Sequence, residues 1–130
     1  MAKNNLKSLI DNTWATAIYF NPFDFGVDIV IEAITKYISG HSDIMMGVVL
    51  ANKEDLISLQ RWSKNTGNYV SPDDIYMSLR GLRTLPLRLK KSSQNSLEIA
   101  KFLETKKIIK TVFHPALKQH PDHELWKRDF

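Results

Sequence analysis

Cysteine is absent from the 130 residues. No disulfide framework and no thiolate metal site can form, and the absence agrees with a reducing, cytoplasmic setting. Long apolar runs are missing too, since no stretch approaches the ~20 residues that a membrane helix needs. The opening MAKNNLKSLIDN has basic residues but no apolar h-region, so a secretory signal is not expected. Internal repeats and low-complexity segments are also absent, which excludes a solenoid or a compositionally biased tail.

Charge of one sign is present but unconcentrated. The 18 Lys and Arg against 14 Asp and Glu leave a formal +4. Basic residues gather only modestly over 80–91 and 106–110, with acidic residues among or near them. No aromatic–basic alternation accompanies them, so the pattern reads as solvated faces and nucleic acid is not expected as a partner. Hydrophobic residues at 43% and charged residues at 25% are an ordinary globular balance. The length suits one ordinary domain or a piece of something larger.

Three strands are expected in the first part of the chain. Residues 6–10 (LKSLI) read as a buried strand ending at Asp11-Asn12-Thr13. A connector over 20–26, punctuated by Pro22 and Gly26, leads to a second strand at 28–34 (DIVIEAI). A third follows at 44–50 (IMMGVVL). Their apolar content suggests a sheet buried on both faces.

From Lys53 the period becomes helical and stops near Gly67. Ser71-Pro72-Asp73-Asp74 is a second helix start, combining a cap, a first-turn proline and carboxylates at the positive end of the dipole. Gly81 is expected to weaken or bend that helix. A third start at Thr84-Leu85-Pro86 carries a helix to about Lys106. Residues 108–113 (IIKTVF) return to strand character, 114–122 form a polar loop, and 124–130 form a short helix or turn. Three strands cannot close an α/β sheet. The chain is therefore expected to be a segment of a larger fold, or to associate.

Two residues stand where chemistry could collect. Asp11 and Lys36 each lie just past the apolar part of a strand, and open α/β sheets gather ligands at the carboxyl ends of their strands. If those strands are parallel neighbours, a carboxylate and a lysine converge, as an aldehyde cofactor with a protonated ring nitrogen requires. The alternative is a solvated edge lysine and an ordinary Asp-Asn-Thr turn. Other clusters are bland. His114, His120 and His123 have irregular spacing in a loop, so no metal is expected. His41 reads as a turn or packing residue. Arg80, Arg83 and Arg88 read as structural on helices that bury a leucine face.

Residues 28–42, DIVIEAITKYISGHS, resemble the pyridoxal-phosphate attachment signature of the Cys/Met-metabolism enzymes. IDNT at 10–13 resembles the segment for the cofactor ring nitrogen, and LRGLRTL at 79–85 resembles that family's helical RGLRTL region. The likeness runs along essentially the whole chain, in the family's order. It implies a fold-type I pyridoxal-phosphate-dependent transferase segment, α/β in class, with three strands of the large-domain sheet followed by long helices. Residues 1–70 would be the C-terminal part of the large domain, 71–106 connecting helices, and 107–130 the start of the C-terminal small domain.

By the same resemblance Lys36 is the catalytic lysine. It would carry the cofactor, release it to the incoming amino acid and then take the α-proton as general base. Asp11 would keep the ring nitrogen protonated, and Thr35 would place its hydroxyl on the phosphate. Ala33 stands where many members have a serine, which removes one hydroxyl donor. Trp14 and Trp126 resemble the cystathionine β-lyase branch, which implies α,β-elimination of cystathionine to homocysteine, pyruvate and ammonia in methionine biosynthesis. A γ-lyase segment, a γ-synthase segment or a non-catalytic remnant are the alternatives. The family implies a cystathionine-like amino-acid substrate and a homo-oligomer. It also implies front and back segments outside this chain, so the 130-residue polypeptide by itself is expected to be inactive.

Overall fold

The computed structural model describes residues 6–130. The chain divides into two compact units, Met1–Leu85 and Pro86–Phe130. The division falls inside the span expected as connecting helices.

The first unit is built on a three-stranded sheet in the order β1 (Leu9–Asp11), β2 (Ile29–Ala33), β3 (Gly47–Ala51). β1 runs parallel to β2, with Leu9 opposite Ile29 and Asp11 opposite Ile31. β2 and β3 are antiparallel. A parallel pair needs a crossover, and residues 12–28 supply one through a short helix, α1 (Thr16–Tyr19), and a 3-10 turn (Pro22–Phe25).

β2 alternates with the period of two that a pleated strand imposes. Val30 is 1% exposed and Glu32 shares its buried side, while Ile29, Ile31 and Ala33 are half-buried. Burying a valine of this kind contributes about 1.5–3 kcal/mol. The outer strands depart from expectation. The first strand is Leu9–Asp11 rather than 6–10, and it is not buried, with Leu9 59% exposed. Val49 and Leu50 of β3 are exposed as well. A sheet is covered on both faces only where helices pack on both, and these strands lack that cover within the described residues.

The helices follow their sequence signals. α2 spans Lys53–Thr66, with the Asn52 side chain accepting from the Asp55 amide. It ends where Gly67 turns left-handed at φ 69°, a conformation that suits glycine. α3 spans Pro72–Leu82, and the Ser71 hydroxyl accepts from the Asp73 amide at 3.2 Å. Gly81 stands one residue before the end of α3 at Leu82. It lies buried in the last turn against the backbone of residues 38 and 39. Lys7 ties the sheet to α2 by pairing with Asp28 and Asp55 at 3.6 and 2.9 Å.

α4 spans Leu85–Glu104, all but its first residue in the second unit, and α5 spans His123–Asp129. Leu89, Ala100, Leu117 and His120 are buried. Residues 108–113 form no strand, and Ile108 is 91% exposed. A strand is defined by a ladder partner, and no described segment provides one. The loop that follows is less solvated than expected. His120 packs on Phe113 with ring centroids 4.1 Å apart, and its Nδ1 accepts from the Asp122 amide. His114 Nε2 bonds Ser96 Oγ at 3.0 Å, and His123 Nδ1 bonds the Pro115 carbonyl at 3.0 Å.

Ser71→Ala removes the cap of α3 and should lower the stability of the first unit by about 1 kcal/mol. Chemical denaturation followed by tryptophan fluorescence reads this. An unmoved midpoint would show that the cap carries no weight.

Candidate functional site

Parallel pairing sends the chain out of β1 and β2 at the same end of the sheet. Asp11 closes β1, and Lys36 lies in the turn just past Ala33, the last residue of β2. The structure thus meets the condition on which the two residues converge. It also shows what ties the two exits together. The Thr13 hydroxyl accepts from the Ala33 amide at 2.7 Å, and the Asn12 amide donates to the Ile31 carbonyl at 2.8 Å.

Asp11 is held in its charged form. The Thr13 hydroxyl and then the Thr13 amide, at 2.8 Å from Oδ1, draw its carboxyl below the usual aspartate range. The amide bond is an Asx-turn, the local geometry that Asp-x-Thr favours. Thr13 is therefore a support of Asp11 that the sequence reading left unassigned, although the Asp-x-Thr spacing announces it.

Beneath this loop lies a buried polar pair. Asn12 Nδ2 donates to the Phe20 carbonyl at 3.0 Å and to Glu32 Oε1 at 3.3 Å. Glu32 is 4% exposed, and burial pushes its carboxyl above the usual glutamate range. The bonds from Asn12 and the Ala17 amide oppose that shift, and the charge of Asp11 adds to it. Glu32 also went unassigned, though its parity with Val30 places it on the inward face. Thr16, in the same loop, is buried with φ 55°. That is an uncommon angle for a β-branched residue. Bonds from its amide to the Asn12 carbonyl and to its hydroxyl from the Ile18 amide hold it there.

The Lys36 turn is equally constrained. The Lys36 amide donates to the Ala33 carbonyl and the Gly40 amide to the Lys36 carbonyl, both at 3.0 Å. The Ser39 amide donates to the Ile34 carbonyl at 2.9 Å, and Ser39 Oγ to the Thr35 carbonyl at 3.2 Å. His41 Nδ1 lies 2.6 Å from the Ser39 carbonyl, a turn contact. The base of the loop is clamped by Thr35. Its amide and hydroxyl donate to the Met46 carbonyl, each at 3.1 Å, and its hydroxyl accepts from the Met46 amide at 2.9 Å. Lys36 itself is exposed, and among the described residues no carboxylate forms an ion pair with it.

These residues can be tested against pyridoxal phosphate. A carboxylate kept anionic suits a protonated ring nitrogen, and an exposed lysine beyond the neighbouring parallel strand suits the aldehyde carbon, so Asp11 and Lys36 fit. Thr35 fits with a condition. Its single O–H proton is directed at Met46, so a phosphate oxygen must compete with that carbonyl.

The family model described as Cys/Met metabolism PLP-dependent enzyme matches residues 1–130. A protein named putative cystathionine beta-lyase, from Rhizobium johnstonii, is 52% identical over 122 residues, covering 94% of this chain and 31% of that protein. The L-alanine/L-glutamate racemase of Wolbachia pipientis wMel is 44% identical over 128 residues, covering 98% of this chain and 32% of that protein. Among solved structures, cystathionine gamma synthase from Xanthomonas oryzae pv. oryzae, in complex with aminoacrylate and cysteine, superposes with a TM-score of 0.91. It is 38% identical and covers 98% of this chain and 34% of that one. The chain spans about a third of the length of these relatives. Among the described residues no helix is long and apolar enough to cross a membrane.

Glu32→Gln should change the pH dependence of stability. The folded carboxyl binds its proton more tightly than the unfolded one, so its contribution is fully present below the unfolded value. That contribution is lost as pH rises through the folded value. The variant should gain on the wild type in thermal melts over the window that opens near pH ~4, where the unfolded glutamate titrates (~4.3), and closes once the folded carboxyl has ionised. A constant difference across that window would rule out buried titration at Glu32.

Proposed function

The chain belongs to the Cys/Met metabolism PLP-dependent enzyme family, and on that premise we propose that it supplies the cofactor lysine and ring-nitrogen carboxylate of a carbon–sulfur lyase. The observation that carries this is the parallel β1–β2 pairing, which puts Asp11 and the Lys36 turn at one end of the sheet. In this reading Lys36 and Asp11 hold pyridoxal phosphate, with Thr35 at its phosphate. Once bound, the cofactor withdraws electrons from the substrate's α-carbon.

The residues' own tasks follow. Lys36 Nζ takes the α-proton as a general base. Asp11, fixed by Thr13, holds the proton on the ring nitrogen. The reaction proposed is α,β-elimination: cystathionine loses its α-proton, the Cβ–S bond breaks, and homocysteine leaves with the sulfur. Water then converts the remaining three-carbon fragment to pyruvate and ammonia.

The β-lyase assignment is supported by the 52% identity to a protein of that name and by Trp14 and Trp126. A γ-synthase or γ-lyase is the second reading, supported by the likeness to the Xanthomonas γ-synthase fold. A cytoplasmic homo-oligomer acting in methionine biosynthesis is the setting that accompanies the first reading. Because the chain spans a third of its relatives, we propose that the 130-residue polypeptide alone does not turn over. Catalysis needs groups positioned together, and two side chains supply little of that.

Joined to segments that complete the family's length, the protein should release pyruvate from cystathionine. Release of 2-oxobutyrate would replace the β-lyase reading with a γ-lyase. In that protein Lys36→Ala should abolish turnover, and Asp11→Ala should lower it by ~10²-fold or more, in the range that positioned acid–base groups contribute. Undiminished activity in either variant would refute the roles given. Turnover by the 130-residue chain alone would refute its dependence on other segments.

A further inference from the structure

We propose that Gly81 is a positioning residue for Lys36, acting from α3 through backbone contact with Ile38 and Ser39. The inference rests on the reading of Lys36 as the cofactor lysine. A Cβ added at Gly81 would lie 2.5 Å from the Ile38 carbonyl oxygen and 2.8 Å from the Ser39 α-carbon, and nearer still to the Ser39 carbonyl oxygen. All three are backbone atoms, so no side-chain rotation relieves the overlap. Gly67 makes the contrast, since a Cβ there meets nothing within 4 Å.

The touched residues are the ones that shape the lysine turn. Ser39 is 1% exposed, its amide bonds the Ile34 carbonyl and its hydroxyl bonds the Thr35 carbonyl. The next amide, of Gly40, bonds the carbonyl of Lys36 itself. The turn is thus braced on one side by the end of β2 and on the other by the bare backbone of α3. Any side chain at 81 pushes on Ile38 and Ser39, and the push passes through these bonds to Lys36. Displacements of this size matter because catalytic groups tolerate little misplacement.

The test uses the 130-residue chain and needs no cofactor. Trace acetylation with acetic anhydride, followed by peptide mapping, gives the reactivity of Lys36 relative to Lys53 across a pH series. Gly81→Ala should change that ratio by about threefold or more. Ser71→Ala, which weakens the same helix without touching the turn, should lower the melting temperature and leave the ratio unchanged. If Gly81→Ala shows no cooperative transition, Ser39→Ala is read instead, because it loosens the turn without adding bulk and should also move the ratio. An unmoved ratio overturns the proposal, as does an equal change in Ser71→Ala. Borohydride fixation of pyridoxal phosphate at Lys36 is scored separately, in the protein joined to segments that complete the family's length. Its failure there strikes the cofactor reading, whereas an unmoved ratio strikes only the role of Gly81.

Discussion

Asp11 and the Lys36 turn leave the sheet at the same end because β1 runs parallel to β2, with Asp11 opposite Ile31. An antiparallel pairing of the same segments would send the two exits to opposite ends, and no shared site could form. The crossover over residues 12–28 is what makes the parallel arrangement possible. Its first three residues do more than connect. The Thr13 hydroxyl accepts from the Ala33 amide at the end of β2, and the Thr13 amide donates back to Asp11, so one residue joins the carboxylate to the strand that leads to the lysine.

Around that pairing the chain commits much of its buried polar chemistry. Asn12, Thr16, Glu32 and Ser39 are all buried near the two exits, together with Val30, Ile34 and Ile44. Buried polar groups are tolerated when hydrogen-bonded, and each of these has partners. The arrangement trades apolar core for fixed geometry. Thr16 is held at a left-handed angle and Glu32 has its charge disfavoured. Costs of this kind persist where surrounding structure over-determines the site.

Many large apolar side chains are poorly covered. Leu9, Trp14, Trp62, Tyr76 and Leu79 remain exposed in a chain that spans about a third of its relatives' length. A three-stranded sheet is near the smallest that is independently stable, and it needs something packed on its apolar face. The exposed residues of the outer strands are where that packing is missing within the described residues.

Local signals in the sequence determined the helices, because caps and breakers act within a few residues. Asn52 with Gly67 bounds α2, and Ser71-Pro72 starts α3. The family resemblance was legible too, since DIVIEAITKYISGHS and RGLRTL are contiguous strings. Strand edges were less legible. Residues 108–113 have strand composition but no ladder partner, and pairing is a property of two segments rather than one. The same reason hides the supports of the site. Gly81 reads only as a helix weakener until α3 is seen against Ile38 and Ser39, and no local signal shows that the Thr35 hydroxyl is bonded to Met46. The sequence by itself determined which residues carry charge, nucleophilic nitrogen and hydroxyl. Only the tertiary structure decided that Asp11 and Lys36 share an end of the sheet, because strand direction is set by contacts between distant segments.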